Sequence, residues 1–223
     1  MMLTRIYYTR WDGRHGSHKL LKQAVTEEYK NRGMSCPGFL DASGQDRDGR
    51  ETKSDPPRKE SWIHTGPEGK PWIPDAPEIR FSISHSGGWW ACAISDREVG
   101  LDIQEERSVH AERLAERFFH PAEAAWLRRH GMDQFCRMWA YKESYLKYTG
   151  KGLSSGMDGF CVVGQAETEE TGMEPEPEQH RIAGCPQAVQ QEIAWGDMGS
   201  MVLTAGEHSE IRLIALEHGD WRQ

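Results

Sequence analysis

Two β-prone runs on either side of a glycine pair constrain the fold of this chain more than any other feature. Residues 79–84 and 89–94 are rich in apolar and aromatic side chains, and they flank Ser86-Gly87-Gly88. This pattern is typical of a β-hairpin with a glycine turn. Residues 99–104, Val-Gly-Leu-Asp-Ile-Gln, follow as a third strand. The sequence therefore predicts a three-stranded unit near the middle of the chain.

Helical periodicity appears on both sides of this unit. Before it, residues 18–29 place apolar side chains at helical spacing behind Ser17, a suitable N-cap. After it, helices are predicted at 111–119, from Pro121 onward, and at 134–148 before Gly150 and Gly152. Strands are also predicted at 3–8, at 160–163 and between 193 and 216, the last two as a closing antiparallel set.

Each half of the chain combines a helical segment with strands. We therefore expect an α+β fold with a pseudo-duplicated, two-half architecture, in which each half packs a helix on a small antiparallel sheet. The predicted halves are residues 1–98 and 99–223. Residues 41–60 are charged and rich in Gly and Pro, and they are predicted to be a mobile insertion. Residues 166–179 are predicted to be an acidic loop without a function.

The overall charge limits the class of partner. The chain has 27 Lys and Arg against 35 Asp and Glu, a formal net charge of -8, which argues against general affinity for nucleic acid or an anionic membrane. No segment approaches the roughly 20 apolar residues of a membrane-spanning helix, and the first residues lack the apolar core of a secretory signal. We expect a cytoplasmic protein in which any phosphate site is local.

Cysteine and histidine give no indication of a zinc or redox site. The five cysteines are scattered without a CxxC pair, and the ten histidines show no HExxH spacing. Reduced thiols and surface or structural imidazoles are the default interpretation.

The third strand carries the first motif with a chemical interpretation. In an extended segment, Asp102 and Gln104 point to one face while Leu101 and Ile103 point to the other. Two oxygen-bearing side chains two residues apart suit a hard cation such as Mg²⁺, which keeps its other positions for phosphate and water. A strand with its polar face toward solvent is the commoner explanation of the same residues.

A predicted helix carries the second motif, which runs from Trp139 to Gly152. Glu143 and Lys147 are four residues apart and share a helix face, as in an ordinary stabilising pair worth about 0.2–0.5 kcal/mol. Alternatively, Lys142, Lys147 and Lys151 concentrate cations around one carboxylate, which suits a pyrophosphate whose metal that carboxylate binds. The motif is equally compatible with both interpretations.

A strand end carries the third motif, Phe-Ser-Ile-Ser-His-Ser-Gly at 81–87. His85 lies between two serines there, where hydroxyls, backbone amides and an imidazolium are able to meet a phosphate. A structural histidine in a hairpin turn is the alternative. Upstream, Gly69-Lys70-Pro71 is a weak signal by itself, because Gly and Pro mark turns in many folds.

Taken together and in this order, these motifs resemble one family. GKP, FSISHSG, VGLDIQ and WxxKESxxKxxGKGL are similar to the segments of the surfactin-synthetase-activating class of 4'-phosphopantetheinyl transferases, the two-halved group of that superfamily. The resemblance covers about residues 69–162. It implies the fold of that superfamily and a transferase that moves the 4'-phosphopantetheine of coenzyme A onto a serine of an acyl, peptidyl or aryl carrier protein.

The resemblance also implies a magnesium site. Asp102 and Glu143 match the magnesium-binding carboxylates of the family, and Gln104 stands where the surfactin-type enzymes usually have a third, a glutamate. A neutral amide offers a carbonyl oxygen or holds a metal-bound water, but it removes one negative charge. Mg²⁺ is therefore the expected metal, with Mn²⁺ as an alternative.

Contacts to coenzyme A follow from the same resemblance. Lys147 is expected at the pyrophosphate, with Lys142 and Lys151 along the phosphate-binding wall. Ser84 and His85 are expected at the 3'-phosphate, and Gly69, Lys70 and Pro71 beside the adenine and ribose. Before the first helix, the candidates for the 3'-phosphate are basic side chains, namely His18, Lys19 and Lys22.

The implied mechanism assigns Glu143 as the base that accepts the proton of the carrier serine, while Lys147 and the metal neutralise the phosphates. The carrier is expected to dock by surface, with Arg113, Arg117, Arg128 and Arg129 as a candidate basic patch. A monomer is expected, because the two-halved class forms its site within one chain. Two rivals stay open: a non-catalytic coenzyme A-binding protein of the same fold, and a metal-dependent phosphohydrolase.

Overall fold

A computed structural model describes residues 2–13, 16–40, 62–152, 156–163, 180–182, 185–196 and 199–217. The first half contains β1 (Met2–Arg10), α1 (Ser17–Asn31), β2 (His64–Thr65), β3 (Pro71–Trp72), β4 (Arg80–Ser86) and β5 (Trp89–Ser95). The second half contains β6 (Val99–Gln104), α2 (Ala111–Phe118), α3 (Pro121–His130), α4 (Phe135–Thr149), β7 (His180–Ile182), β8 (Cys185–Ile193), β9 (Ser200–Ala205) and β10 (Ser209–Ala215). The predicted insertion 41–60 and the acidic loop 166–179 lie outside the described residues.

The first sheet has the strand order β10-β1-β5-β4. The hairpin of β4 and β5 turns at Gly87 and Gly88, as the glycine pair predicted, and Gly87 has a positive φ of 54° that suits glycine. Helix α1 packs on one face of this sheet through Leu21, Val25 and Tyr29. This unit confirms that a helix packs on a small sheet, although one strand of that sheet, β10, comes from the predicted second half and runs parallel to β1.

The second sheet is antiparallel throughout, with the order β6-β9-β8-β7. Helix α4 packs against β6 and β9, and its buried residues include Ala140, Tyr141 and Leu146. The facing sides of the two sheets share a third apolar core that includes Ile6 and Leu203. The layers are therefore helix, sheet, sheet, helix, which confirms the α+β, pseudo-duplicated class.

Three predictions about local elements were wrong. β10 is not part of a closing antiparallel set, because it runs parallel to β1 in the first sheet. Residues 160–163 do not form a strand of either sheet. Ser17 is the first residue of α1 rather than its N-cap, which is Gly16, and the Ser17 hydroxyl instead accepts a hydrogen bond from Trp90 Nε1 over 2.8 Å.

The helix boundaries agree closely with the periodicity. Pro121 begins α3, and the His120 ring and the Glu123 carboxylate form a reciprocal capping box there. Gly150 ends α4 in the left-handed conformation, with φ of 75°. Among the described residues, no helix is long and apolar enough to cross a membrane.

Candidate active site

The candidate site begins on β6, whose side chains alternate between two environments. Leu101 and Ile103 pack into the core between the sheets, while Asp102 and Gln104 lie together on the opposite face. Asp102 is only 2% exposed. Gln104 Nε2 donates to Asp102 Oδ2 over 2.9 Å, so the two polar side chains are in direct contact and the amide acts through its N–H.

Gly100 allows α4 to lie directly on this strand. An added Cβ at Gly100 would lie 2.0 Å from the carbonyl oxygen of Ser144 and 2.3 Å from the amide nitrogen of Tyr148. A larger side chain would therefore push the helix and the strand apart. Since Asp102 follows two residues later on the strand, the close approach places it beside the last turns of α4.

An ion pair between Asp102 and Lys147 lies at the centre of the site. Lys147 Nζ donates to Asp102 Oδ1 over 2.7 Å, and the lysine side chain is 30% exposed. The same Oδ1 accepts a hydrogen bond from Ser84 Oγ, also over 2.7 Å. Donors from β4, β6 and α4 therefore converge on one buried carboxylate.

Glu143 lies on α4, four residues before Lys147 and close to Asp102. Burial and the neighbouring Asp102 carboxylate raise the pKa of Glu143, and the Lys147 ammonium opposes this rise. Within the described parts of the chain, no group donates a hydrogen bond to the Glu143 carboxylate. A half-buried carboxylate beside a second carboxylate is stabilised by a proton or by a cation.

The oxygen atoms at this point fit a magnesium ion in chemical type. A carboxylate has about four acceptor positions, and the described donors occupy three of those on Asp102. Asp102 and Glu143 would supply the one or two carboxylates typical of a Mg²⁺ site that also binds phosphate oxygens and water. In the described residues, no group of three or more His, Cys, Asp and Glu side chains is arranged to hold a metal ion.

Lys142 lies away from this cluster. Its Nζ donates to both carboxylate oxygens of Glu123, over 2.8 and 2.6 Å, and to the carbonyl oxygen of Phe160 over 2.8 Å. Both side chains of the pair are 0% exposed. The prediction that Lys142 lines a phosphate-binding wall was wrong for this geometry, because residue 142 lies on the inner side of α4, where its ammonium is enclosed.

Glu123, which no sequence motif indicated, joins three segments. Its Oε1 also accepts the backbone N–H of Val162 over 2.7 Å, and its Oε2 accepts that of His120 over 2.9 Å. The position was recognisable as the third residue after the N-cap of a helix that begins with proline, where Glu is favoured. Its pairing with Lys142 was not recognisable, because it depends on how α3 and α4 pack.

Lys70 joins the two halves near the end of α4. Its Nζ donates to the carbonyl oxygens of Val99 and Tyr148, over 3.2 and 3.0 Å, and pairs with Glu98 at 2.6 Å. Gly69 has φ of 92°, which favours glycine, and Pro71 begins β3. A cavity of about 210 Å³ lies next to this segment and is lined by Lys70, Pro71, Trp72, Ile79, Arg80, Phe81 and Glu98.

His85 and Ser84 have different environments although they are adjacent on β4. His85 is exposed, and its ring lies 4.7 Å from that of Trp11, centroid to centroid. Ser84 is 4% exposed, and its hydroxyl contacts Asp102. The prediction that both residues meet a phosphate therefore suits His85, whereas the Ser84 side chain is enclosed between the halves.

The remaining predicted basic residues lie at the surface. Lys19 is exposed at the start of α1, and Lys151 is exposed just after α4. Of the predicted basic patch, Arg128 contacts Glu116 at 2.7 Å and Glu112 at 3.9 Å. Acidic neighbours therefore partly neutralise the charge of Arg128.

Comparisons with known proteins indicate which family the region around this site resembles. The profile of the 4'-phosphopantetheinyl transferase superfamily matches residues 98–195, the region that contains Asp102, Glu143 and Lys147. Over residues 98–195, the chain is similar to this superfamily. The match agrees with the family resemblance inferred from the motifs.

Individual relatives cover the same part of the chain. The 4'-phosphopantetheinyl transferase Sfp of Bacillus subtilis (strain 168) is 42% identical over 98 residues, which is 42% of this chain and 43% of that protein. The 4'-phosphopantetheinyl transferase psf-1 of Bacillus pumilus is 34% identical over 110 residues, 48% of this chain and 47% of the relative. The 4'-phosphopantetheinyl transferase gsp of Aneurinibacillus migulanus is 38% identical over 98 residues, 42% and 40% of the two chains. The matched part thus spans less than half the length of these curated relatives.

Proposed function

We propose that this protein transfers the 4'-phosphopantetheine group of coenzyme A to a serine of a carrier protein, giving the holo-carrier and adenosine 3',5'-bisphosphate. The observation that carries the proposal is the convergence of Asp102, Glu143 and Lys147 on one point between β6 and α4. The superfamily match over residues 98–195 contains all three residues.

The reaction requires nucleophilic attack and charge neutralisation. The serine oxygen forms a bond to the β-phosphorus of coenzyme A, and the bond from that phosphorus to the bridging oxygen of the pyrophosphate breaks. Glu143 accepts the serine proton, for which its position beside Asp102 and its lack of a hydrogen-bond donor among the described residues suit it. Lys147, which is partly exposed beside Asp102, pairs with the pyrophosphate and stabilises the leaving group.

Asp102 and Glu143 are the residues that would hold a magnesium ion. Bound there, Mg²⁺ would neutralise phosphate charge and orient the diphosphate. Gln104 supports this site by donating to Asp102 Oδ2, and it adds no negative charge of its own. For this reason we include Mn²⁺ as an alternative metal.

Coenzyme A is proposed to lie along the junction of the two halves. His85 suits the 3'-phosphate because its ring is exposed at the end of β4, and Lys19 and Lys151 are exposed cations that suit the outer phosphates. The cavity beside Gly69, Lys70 and Pro71 suits the adenine, because Trp72 is 40% exposed there and offers an aromatic surface. Neither Ser84 nor Lys142 is assigned to a phosphate.

The partner is proposed to be a folded acyl, peptidyl or aryl carrier domain, since only a surface contact presents its serine to this cleft. We propose that the protein acts as a cytoplasmic monomer on this partner, with no role in binding nucleic acid or membrane. The net charge of -8 supports the exclusion of polyanionic partners.

The test is incubation with coenzyme A, Mg²⁺ and several apo-carriers, followed by intact-protein mass measurement. A carrier mass gain of one phosphopantetheine, absent with EDTA and absent for a carrier whose acceptor serine is replaced by alanine, supports the proposal. Binding of coenzyme A without any mass gain would identify a non-catalytic binding protein. Release of phosphate from coenzyme A without transfer would identify a hydrolase.

A further inference from the structure

Three serines on β4 join the two halves of the molecule. β4 and β6 are edge strands of different sheets, and they are linked by side chains rather than by a backbone ladder. The hydroxyls of Ser82, Ser84 and Ser86 accept the backbone N–H groups of Leu101, Ile103 and Glu105, over 2.9, 3.1 and 2.9 Å. Serine is able to do this because its hydroxyl oxygen has two acceptor positions.

Ser84 differs from the other two serines in one respect. Its hydroxyl also donates to Asp102 Oδ1 over 2.7 Å. Because the N–H of Ile103 can only donate, the Ser84 hydroxyl accepts from it and donates its own proton to the Asp102 carboxylate. The Ser84 side chain thus holds both the carboxylate of Asp102 and the backbone of the next residue.

The donors to Asp102 also differ in how firmly they are held. Lys147 is 30% exposed on a flexible stem, and in the proposed reaction it turns to the pyrophosphate. Ser84 is 4% exposed and lies between the sheets, so solvent and substrate do not compete for its hydroxyl. When Lys147 contacts substrate, Ser84 and Gln104 are the donors that keep Asp102 in place.

We propose that Ser84 is a positioning residue, which acts through Asp102 and does not contact coenzyme A. This inference rests on the proposed function for its consequence in the reaction, while the hydrogen bonds themselves are independent of it. Residues that orient a metal-binding carboxylate commonly change metal affinity or activity by about 10–100-fold when they are replaced.

The test compares Ser84→Ala with Ser82→Ala, which removes an equivalent acceptor for a backbone N–H but no contact to a carboxylate. Binding of coenzyme A is measured by calorimetry in EDTA, and Mg²⁺ or Mn²⁺ is then titrated into the coenzyme A complex. We expect Ser84→Ala to weaken metal binding by about tenfold or more relative to Ser82→Ala, with the two variants binding coenzyme A equally in EDTA. Loss of coenzyme A affinity in EDTA confined to Ser84→Ala would overturn the proposal, because it would indicate a direct phosphate contact.

A second measurement requires neither metal nor transfer. Asp102→Asn is combined with each serine variant, and the unfolding equilibrium constants are measured in urea. We expect the Ser84 and Asp102 replacements to be non-additive by about tenfold, and the Ser82 and Asp102 replacements to be additive. Equal behaviour of the two serines would overturn the proposal. If the wild-type protein loads no carrier, the proposed function fails, but this coupling still decides the role of Ser84.

A conservative variant separates positioning from folding. Ser84→Thr retains the donor and the acceptor on a side chain that suits a strand. We expect its metal affinity to lie within about threefold of the wild type, because the threonine keeps both hydrogen bonds and a threefold change is smaller than the loss of one typical hydrogen bond. If Ser84→Ala does not fold, rescue by threonine with wild-type coenzyme A and metal affinities supports the proposal, and failure of threonine to restore metal affinity in a folded protein contradicts it.

Discussion

Each half packs a 15-residue helix on a small sheet, but the helix carboxylates Glu28 and Glu143 have different environments. On α1, Glu28 is fully buried and accepts hydrogen bonds from Arg5 and Arg32 on one oxygen and from Tyr7 on the other, over 2.9, 2.6 and 2.7 Å. On α4, Glu143 is half-buried, and the described residues give it no such donor.

The difference indicates that Glu28 has a structural role, whereas the environment of Glu143 suits a chemical one. Two arginines and a tyrosine, none of which the proposed reaction uses, hold the Glu28 carboxylate in one state, so it contributes to folding rather than to chemistry. A carboxylate without donors beside another carboxylate keeps its capacity for a proton or a cation. The same architecture therefore contains a closed ionic cluster around Glu28 and an open one around Glu143.

The strongest test of this contrast is Glu143→Gln. We expect the rate of carrier loading to fall by about 10²–10⁴-fold, because the amide neither accepts the serine proton nor binds a metal as a carboxylate does. Stability in urea should stay within about 0.5 kcal/mol of the wild type. The measurement is single-turnover loading followed by mass spectrometry.

The matched control is Glu27→Gln, an exposed carboxylate on α1 that pairs with Lys30. This variant should load the carrier at the wild-type rate. Retained activity of Glu143→Gln would show that Glu143 is not required for transfer, which would contradict its proposed role.

Lys142→Met tests whether α4 also contains a closed cluster. The replacement leaves Glu123 fully buried without its cation, and breaking such a pair destabilises a protein by about 3–5 kcal/mol. We expect a large loss in the free energy of unfolding, measured in urea, and a loading rate per folded molecule within a few-fold of the wild type. A folded, stable variant that has lost coenzyme A affinity would instead return Lys142 to the phosphate-binding wall.

Much of the fold was predictable from the sequence because its signals are local. The glycine pair, Pro121 and Gly150 define the hairpin, the start of α3 and the end of α4, and strand alternation placed Asp102 and Gln104 on one face. The parallel pairing of β10 with β1 was not predictable, because it depends on contacts between segments far apart in the sequence. Local periodicity contains no information about that partner.

The same limit applies to the site. The motif between Trp139 and Gly152 identified three lysines at one helix, but only packing decides that Lys142 faces Glu123 while Lys147 faces Asp102. Likewise, the serines of β4 suggested a phosphate site from composition alone. Their hydroxyls bind the backbone of β6 because two sheet edges meet there.

Glu28→Gln tests the closed cluster of the first half. The neutral amide loses its charge-assisted contacts to Arg5 and Arg32, and we expect stability to fall by about 1.5–3 kcal/mol. The loss should be smaller than for Lys142→Met, because both arginines retain some access to water, with side chains 14% and 19% exposed. Chemical denaturation gives the value. A change in the loading rate per folded molecule would show that the cluster around Glu28 is not purely structural.

The smallest expected change is that of Gln104→Glu, which tests whether a cation binds beside Asp102 in the open cluster. The amide now donates to Asp102 Oδ2 over 2.9 Å; a carboxylate in its place accepts rather than donates, so it repels Asp102 unless a cation lies between them. We expect Glu at this position to strengthen Mg²⁺ binding by about tenfold, because one more negative charge is added to the oxygen donors, and to destabilise the protein in EDTA by about 1 kcal/mol.

Calorimetric Mg²⁺ titration and urea denaturation with and without metal measure the two effects. Opposite signs in EDTA and in Mg²⁺ are the expected mark of a cation between residues 102 and 104, whereas destabilisation under both conditions would mean that no cation binds there and that Asp102 is as closed as Glu28.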